Sequence, residues 1–99
     1  MPGAVRVGDS LSTGHICAGT TSLGGAAQST VTVNGILAAV VGAPTVAHPF
    51  PPLPPCAPHV ANLNAGSPNV TINGIPLGRI GDSADAGAMT SGSGNVIVN

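Results

Sequence analysis

The chain has no tryptophan, no tyrosine and a single phenylalanine, Phe50. A core packed around large aromatic side chains is therefore excluded. Lysine is missing too, and the only cations of fixed charge are Arg6 and Arg79, for a formal net charge of −1. Two arginines cannot build the basic stripe that neutralises phosphates, so nucleic acid and anionic membrane surfaces are excluded as electrostatic partners. No apolar run approaches the ~20 residues that span a bilayer. No apolar segment follows Met1-Pro2-Gly3-Ala4-Val5-Arg6, so a signal peptide is not expected and synthesis in the cytoplasm is. Two cysteines, Cys17 and Cys56, allow one disulfide at most, and cytoplasmic synthesis disfavours it.

What is present is small. Ninety-nine residues make one domain, and charged residues are only 5% of it. Hydrophobic residues reach 42%, but most are Ala and Val, which bury little area each. Such a chain is short of core energy and needs a staple: disulfide, metal or oligomerisation. With Gly 15 and Pro 10, turn-formers approach the level at which disorder is the default, so order has to come from a pattern.

The pattern is an internal repeat. Val31-Thr32-Val33-Asn34-Gly35-Ile36 returns as Val70-Thr71-Ile72-Asn73-Gly74-Ile75 and begins again at Val96-Ile97-Val98-Asn99. β-Branched runs favour strands, and Asn-Gly is the strongest short hairpin signal because both residues tolerate positive φ. The N-terminus carries the back half of a copy, Ala4-Val5-Arg6-Val7-Gly8-Asp9. This gives a half repeat at 1–9, full repeats at about 29–43 and 67–82, and a half repeat at 93–99. Halves at both ends predict a closed ring of three units, with Val96 to Asn99 beside Val5 to Gly8. Closure removes the strand edges that otherwise template aggregation.

Both arginines and two of the three acids occupy one repeated position, Arg6-Val7-Gly8-Asp9 and Arg79-Ile80-Gly81-Asp82. A local Arg–Asp pair that fixes a turn is expected there. A loop follows this position in each unit: about Ser10 to Gln28, Pro44 to Gly66, and Ser83 to Gly92. In a three-fold arrangement the loops gather at one end. The second contains Pro49-Phe50-Pro51-Pro52-Leu53-Pro54-Pro55-Cys56-Ala57-Pro58, read as a stiff covering loop.

All the histidines and cysteines lie in the first two loops: His15, Cys17, His48, Cys56 and His59. Imidazole and thiolate are the ligands zinc prefers, and His-x-Cys and Cys-x-x-His are chelating spacings. Competing readings are a Cys17–Cys56 disulfide, unrelated loop residues, or a Cys56/His59 nucleophile–base pair.

These residues resemble the PAAR-repeat family, which forms the sharpened tips of contractile injection spikes in type VI secretion systems and phage tails. The resemblance rests on Gly66 to Asp82, where Pro76-Leu77-Gly78-Arg79 stands for the family's Pro-Ala-Ala-Arg and Leu37-Ala38-Ala39-Val40 for the other copy. Gly14-His15-Ile16-Cys17 is similar to the phage-type branch. It implies an all-β fold, a small cone of short strands from three pseudo-three-fold repeats, with the loops converging at a metal-stapled apex. It implies one structural zinc (iron as the alternative) held by His15, His48, His59 and a thiolate. Cys56 is the expected thiolate and Cys17 the alternative, since the third-loop cysteine of many relatives is replaced by Ala86. It also implies a partner: one copy caps a trimeric β-helical spike, VgrG-like or from a phage tail. Ala4, Ile36 and Ile75 are expected on the docking face, and force is delivered mechanically to a membrane. No enzymatic activity or small-molecule substrate is implied. The tip would sit on a virion tail or be secreted at the end of the apparatus. Two other functions stay open: a free-standing β-helical binding protein, for instance of the ice-binding type suggested by Thr30-x-Thr32, and a small Cys/His hydrolase.

Overall fold

The structure is a computed structural model that describes residues 2–15, 19–50 and 57–98, with backbone alone at 49, 50 and 57. Among these residues there are only strands and turns. The strands are β1 (Ser10–Ser12), β2 (Thr20–Ser22), β3 (Thr32–Val33), β4 (Ile36–Leu37), β5 (His48–Phe50), β6 (Ala57–His59), β7 (Thr71–Ile72), β8 (Ile75–Pro76), β9 (Ser83–Ala84) and β10 (Gly87–Ala88). Each pairs antiparallel with its neighbour in sequence, which makes five short hairpins.

Two hairpins are the Asn-Gly repeats. Asn34 and Gly35 sit at φ 55° and 79°, and Asn73 and Gly74 at 54° and 81°. Positive φ at both central residues is what a type I′ turn demands, and its twist matches that of the flanking strands. The β3–β4 pair places Thr32 opposite Leu37, and β7–β8 places Thr71 opposite Pro76.

The segments after these hairpins close a ring. Val5 N–H donates to Gly78 O (3.0 Å), Gly78 N–H to Ala39 O (2.9 Å), and Ala39 N–H to Val5 O (2.9 Å). One turn outward a second cycle donates in the opposite sense: Val7 to Leu37 O, Val41 to Pro76 O and Ile80 to Gly3 O, each 3.0 Å. Bridges between Arg6 and Ala38, Val40 and Leu77, and Arg79 and Ala4 obey the same permutation. Every donor's partner lies in a different unit, so no unit is saturated until all three are present. That is the physical content of the pseudo-three-fold symmetry.

The third hairpin is assembled from the two ends of the chain. Gly3 bridges Ile97, Ala4 N–H donates to Val96 O (2.9 Å), and Val98 N–H to Pro2 O (2.8 Å). The pairing expected from sequence, 96–99 beside 5–8, is therefore displaced toward the start of the chain. Val5 and Val7 already give their N–H groups to the ring, so the residues before them remain for the edge. Asn99 lies outside the described residues.

A second ring stacks on the first. Leu23 bridges Thr45, Leu63 bridges Ala84, and Met89 bridges Leu11. The turn joining the rings is the repeated Arg/Asp position. Asp9 accepts from Arg6 N (2.7 Å), Nε (3.1 Å) and Nη2 (3.1 Å). Asp82 does the same for Arg79 at 2.8, 3.0 and 2.8 Å. The central unit has Val40 and Ala43 here, and Val40 N–H goes to Ala26 O (3.1 Å) instead.

The core runs along the axis in two packed groups. Ala4, Val33, Ala38, Val40, Ile72, Leu77 and Val98 fill the first ring and its hairpins. Val5, Leu11, Leu23, Ala39, Ala43, Leu63, Ala84 and Met89 fill the space between the rings. Small residues suffice because three backbones meet at the axis. Ala4, expected on the docking face, is fully buried here. The molecule is elongated, 41 × 24 × 21 Å, with the Asn-Gly hairpins at one end of the stack.

Candidate metal centre

The three expected loops leave the second ring together, and each carries a hairpin: β1–β2, β5–β6 and β9–β10. These strands are held from outside as much as within. Val46 N–H donates to Ser22 O (2.9 Å), Asp85 N–H to Asn62 O (3.1 Å), and Ala86 N–H to Thr13 O (2.9 Å). Gly14 and Gly87 let the first and third hairpins touch. A Cβ on Gly14 would meet the Ala86 carbonyl, and one on Gly87 the Ser12 carbonyl, inside van der Waals contact. That close approach brings the first and third loops within reach of one another's side chains.

His15, His48 and His59 converge at the end of the stack opposite the Asn-Gly hairpins. His48 and His59 are direct partners across β5–β6, so their side chains share a face. His15 follows β1, its N–H donating to Thr13 Oγ1 (3.3 Å). The rings of His15 and His48 stack at 5.2 Å and 10°. The His59 ring stands at 80° to one and 85° to the other.

A fourth group completes the set, and the sequence reading missed it. Asp85 Oδ2 lies 2.8 Å from His15 Nε2 and 2.8 Å from His48 Nε2, with His59 Nε2 at 3.4 Å. Asp85 occupies the β9–β10 turn at φ 53°, a conformation Asp adopts more readily than most residues. Its carbonyl accepts from Asn64 Nδ2 (2.9 Å). Burial alone pushes the Asp85 carboxyl up, but the three imidazoles outweigh it and hold it below the ordinary carboxylate range. His15, His48 and Asp85 side chains are nearly buried, while His59 is 25% exposed and marks the open side.

One ligand atom from each of the four residues lies within 4.8 Å of the others. Tetrahedral coordination with bonds of ~2.0–2.1 Å places ligand atoms about 3.3 Å apart. His15 Nε2 and His48 Nε2 are 3.3 Å apart. The set therefore fits a small divalent cation. Cys56, the thiolate expected from sequence, and Cys17, its alternative, lie outside the described residues. Asp85 carries no neighbouring His or Cys at a chelating spacing, and nothing in its local sequence marks it. Its one signal is that it is the only acid left unused by the Arg–Asp pairs.

No curated protein matches the chain. The PAAR motif matches residues 7–91, which takes in the second ring, the first ring except its strand before Val7, two of the three repeat hairpins and all four converging side chains. By that match and by its all-β, three-unit architecture, the chain belongs to the PAAR-motif family of contractile-injection spike-tip proteins.

Proposed function

We propose that the chain is a non-enzymatic tip that caps the blunt end of a trimeric β-helical spike, one copy per trimer. The cyclic hydrogen bonding of the first ring carries this reading. A single chain presents one face three times, and the symmetry of a homotrimer is met without three copies of the cap. Val31, Val70 and Val96 hold equivalent positions on the three hairpins and are 40%, 37% and 37% exposed. Side chains of that kind, beside short strand edges, suit a β-helix end whose own last strands lack partners. The opposite end suits a rigid apex, because three hairpins with little apolar filling are drawn together by one bound metal. Zinc fits the donors, and iron is the alternative.

Arg6 and Arg79 are committed to Asp9 and Asp82, which supports a role without nucleic acid. The chain would be made in the cytoplasm and leave it at the end of the apparatus, on a phage tail or a secretion spike, to meet a membrane mechanically. Co-purification with the trimeric spike of the same organism, followed by mass measurement in solution, tests the reading. One copy per trimer is expected. Val70→Glu should abolish the complex and leave the fold and metal content intact. Three copies per trimer, or unchanged affinity in that variant, would overturn the cap geometry.

A further inference from the structure

We infer that Asp85 supplies the fourth metal ligand, so that a three-imidazole, one-carboxylate set among the described residues completes this apex without calling on a thiolate. The inference rests on the reading that the apex holds a metal, and adds which atoms hold it. His48 Nδ1 lies 2.9 Å from Val46 O. A carbonyl only accepts, so Nδ1 carries the proton, and Nε2 of the neutral ring is a bare lone pair. That lone pair faces Asp85 Oδ2 at 2.8 Å and His15 Nε2 at 3.3 Å. Electron-rich atoms held this close around one point are bridged either by protons or by a cation. A divalent cation bridges all four residues at once. The Val46 carbonyl then plays the part usual for a metal-bound histidine, fixing tautomer and ring orientation.

The rest of the protein holds Asp85 in place. Its N–H is bonded to Asn62 O, its carbonyl to Asn64 Nδ2, and the next residue's N–H to Thr13 O. The carboxylate is thus delivered by a braced turn, and His15, His48 and His59 come from the other two hairpins. One ligand set ties all three hairpins. Exchanging thiolate for carboxylate changes the chemistry of the site. It removes the oxidisable ligand and widens the range of divalent first-row ions accepted.

The test is cobalt substitution of the full chain. Co(II)-loaded protein should show the visible ligand-field bands of a tetrahedral ion and no thiolate-to-metal charge-transfer band in the near ultraviolet. Cys17→Ser and Cys56→Ser should keep wild-type stoichiometry. Asp85→Asn, chosen because Asn also tolerates positive φ, should weaken binding more than about 100-fold, beyond the loss typical of a residue that only supports a ligand. Asp85→Cys should bind Co(II) and gain the charge-transfer band, which shows that the position faces the metal even if the Asn variant is poorly folded. A thiolate band in the wild type, or metal lost in Cys56→Ser but kept in Asp85→Asn, overturns the assignment and leaves the spike-cap reading standing. Absence of any bound ion overturns it too, and spike binding measured on the same sample says separately whether the cap reading survives.

Discussion

Restoring the family's alanine at position 78 should destabilise this protein. Gly78 holds the place of the second alanine in the Pro-Ala-Ala-Arg pattern, and its ring equivalents are Val5 and Ala39. The three positions meet near the axis. A Cβ on Gly78 would lie 2.5 Å from Leu63 Cδ2, 3.2 Å from Ala39 O and 3.4 Å from Val5 Cβ. Leu63 is 1% exposed, so its methyl has no open side to retreat to. Overpacking of this kind costs about 1–3 kcal/mol. Removing glycine returns roughly 0.4–1 kcal/mol through the unfolded state, since Gly78 is not at positive φ. The net loss is about 1.3 kcal/mol at mid-range, or a fall in Tm of roughly 5–10 °C for a domain of this size. Thermal unfolding followed by circular dichroism, with both proteins saturated in the same metal, measures it. Leu63→Val is mildly destabilising alone but should be partly compensating in combination, with a coupling near ~1 kcal/mol. A Gly78→Ala variant as stable as the wild type, or one whose loss simply adds to that of Leu63→Val, would refute the packing argument.

Asn34→Ala and Asn73→Ala both force alanine into the left-handed region, at about 1 kcal/mol each. Asn34 also donates to Asn95 Oδ1 and accepts from Ser93 Oγ, so its variant should lose roughly 1 kcal/mol more in urea unfolding. Asp82→Ala strips the acceptor from Arg79 N–H and should cost about 1–3 kcal/mol by the same assay. A loss no larger than for an ordinary exposed site would show that the turn does not depend on it.

The two Asn-Gly hairpins were legible because their chemistry is local: positive φ at 34–35 and 73–74 needs these residues. Ring closure was legible because the halves at the chain ends were complementary. The register of that closure was not, since it depends on which N–H groups the ring takes first, and Val5 and Val7 are claimed before Pro2–Ala4. The apical hairpins escaped notice for another reason. Ser10–Ser12, Ser83–Ala84 and Gly87–Ala88 have no β-branched run, and their pairing is imposed by bridges such as Leu11 to Met89 and Leu63 to Ala84. His15, His48 and His59 announced themselves as clustered imidazoles. Asp85 did not, because a lone acid among Ser, Ala and Gly gains meaning only when three hairpins fold over it. Ala4 was misplaced for the same kind of reason, as a small apolar residue reads alike at an axis and on a face.

Residues 2–4 have to wait for residues 96–98. Residues 96–98 must be made before the third hairpin can zip, and Gly78 before the first cycle of hydrogen bonds can form. The hairpins are local, but the pairs that close the rings lie far apart in sequence, so loop-closure entropy is spent before those contacts reward it. Ring closure is therefore expected as one late step of folding. Until then the newborn chain carries bare, nearly uncharged strand edges rich in alanine and valine, which makes the interval between translation and closure its period of greatest exposure to aggregation.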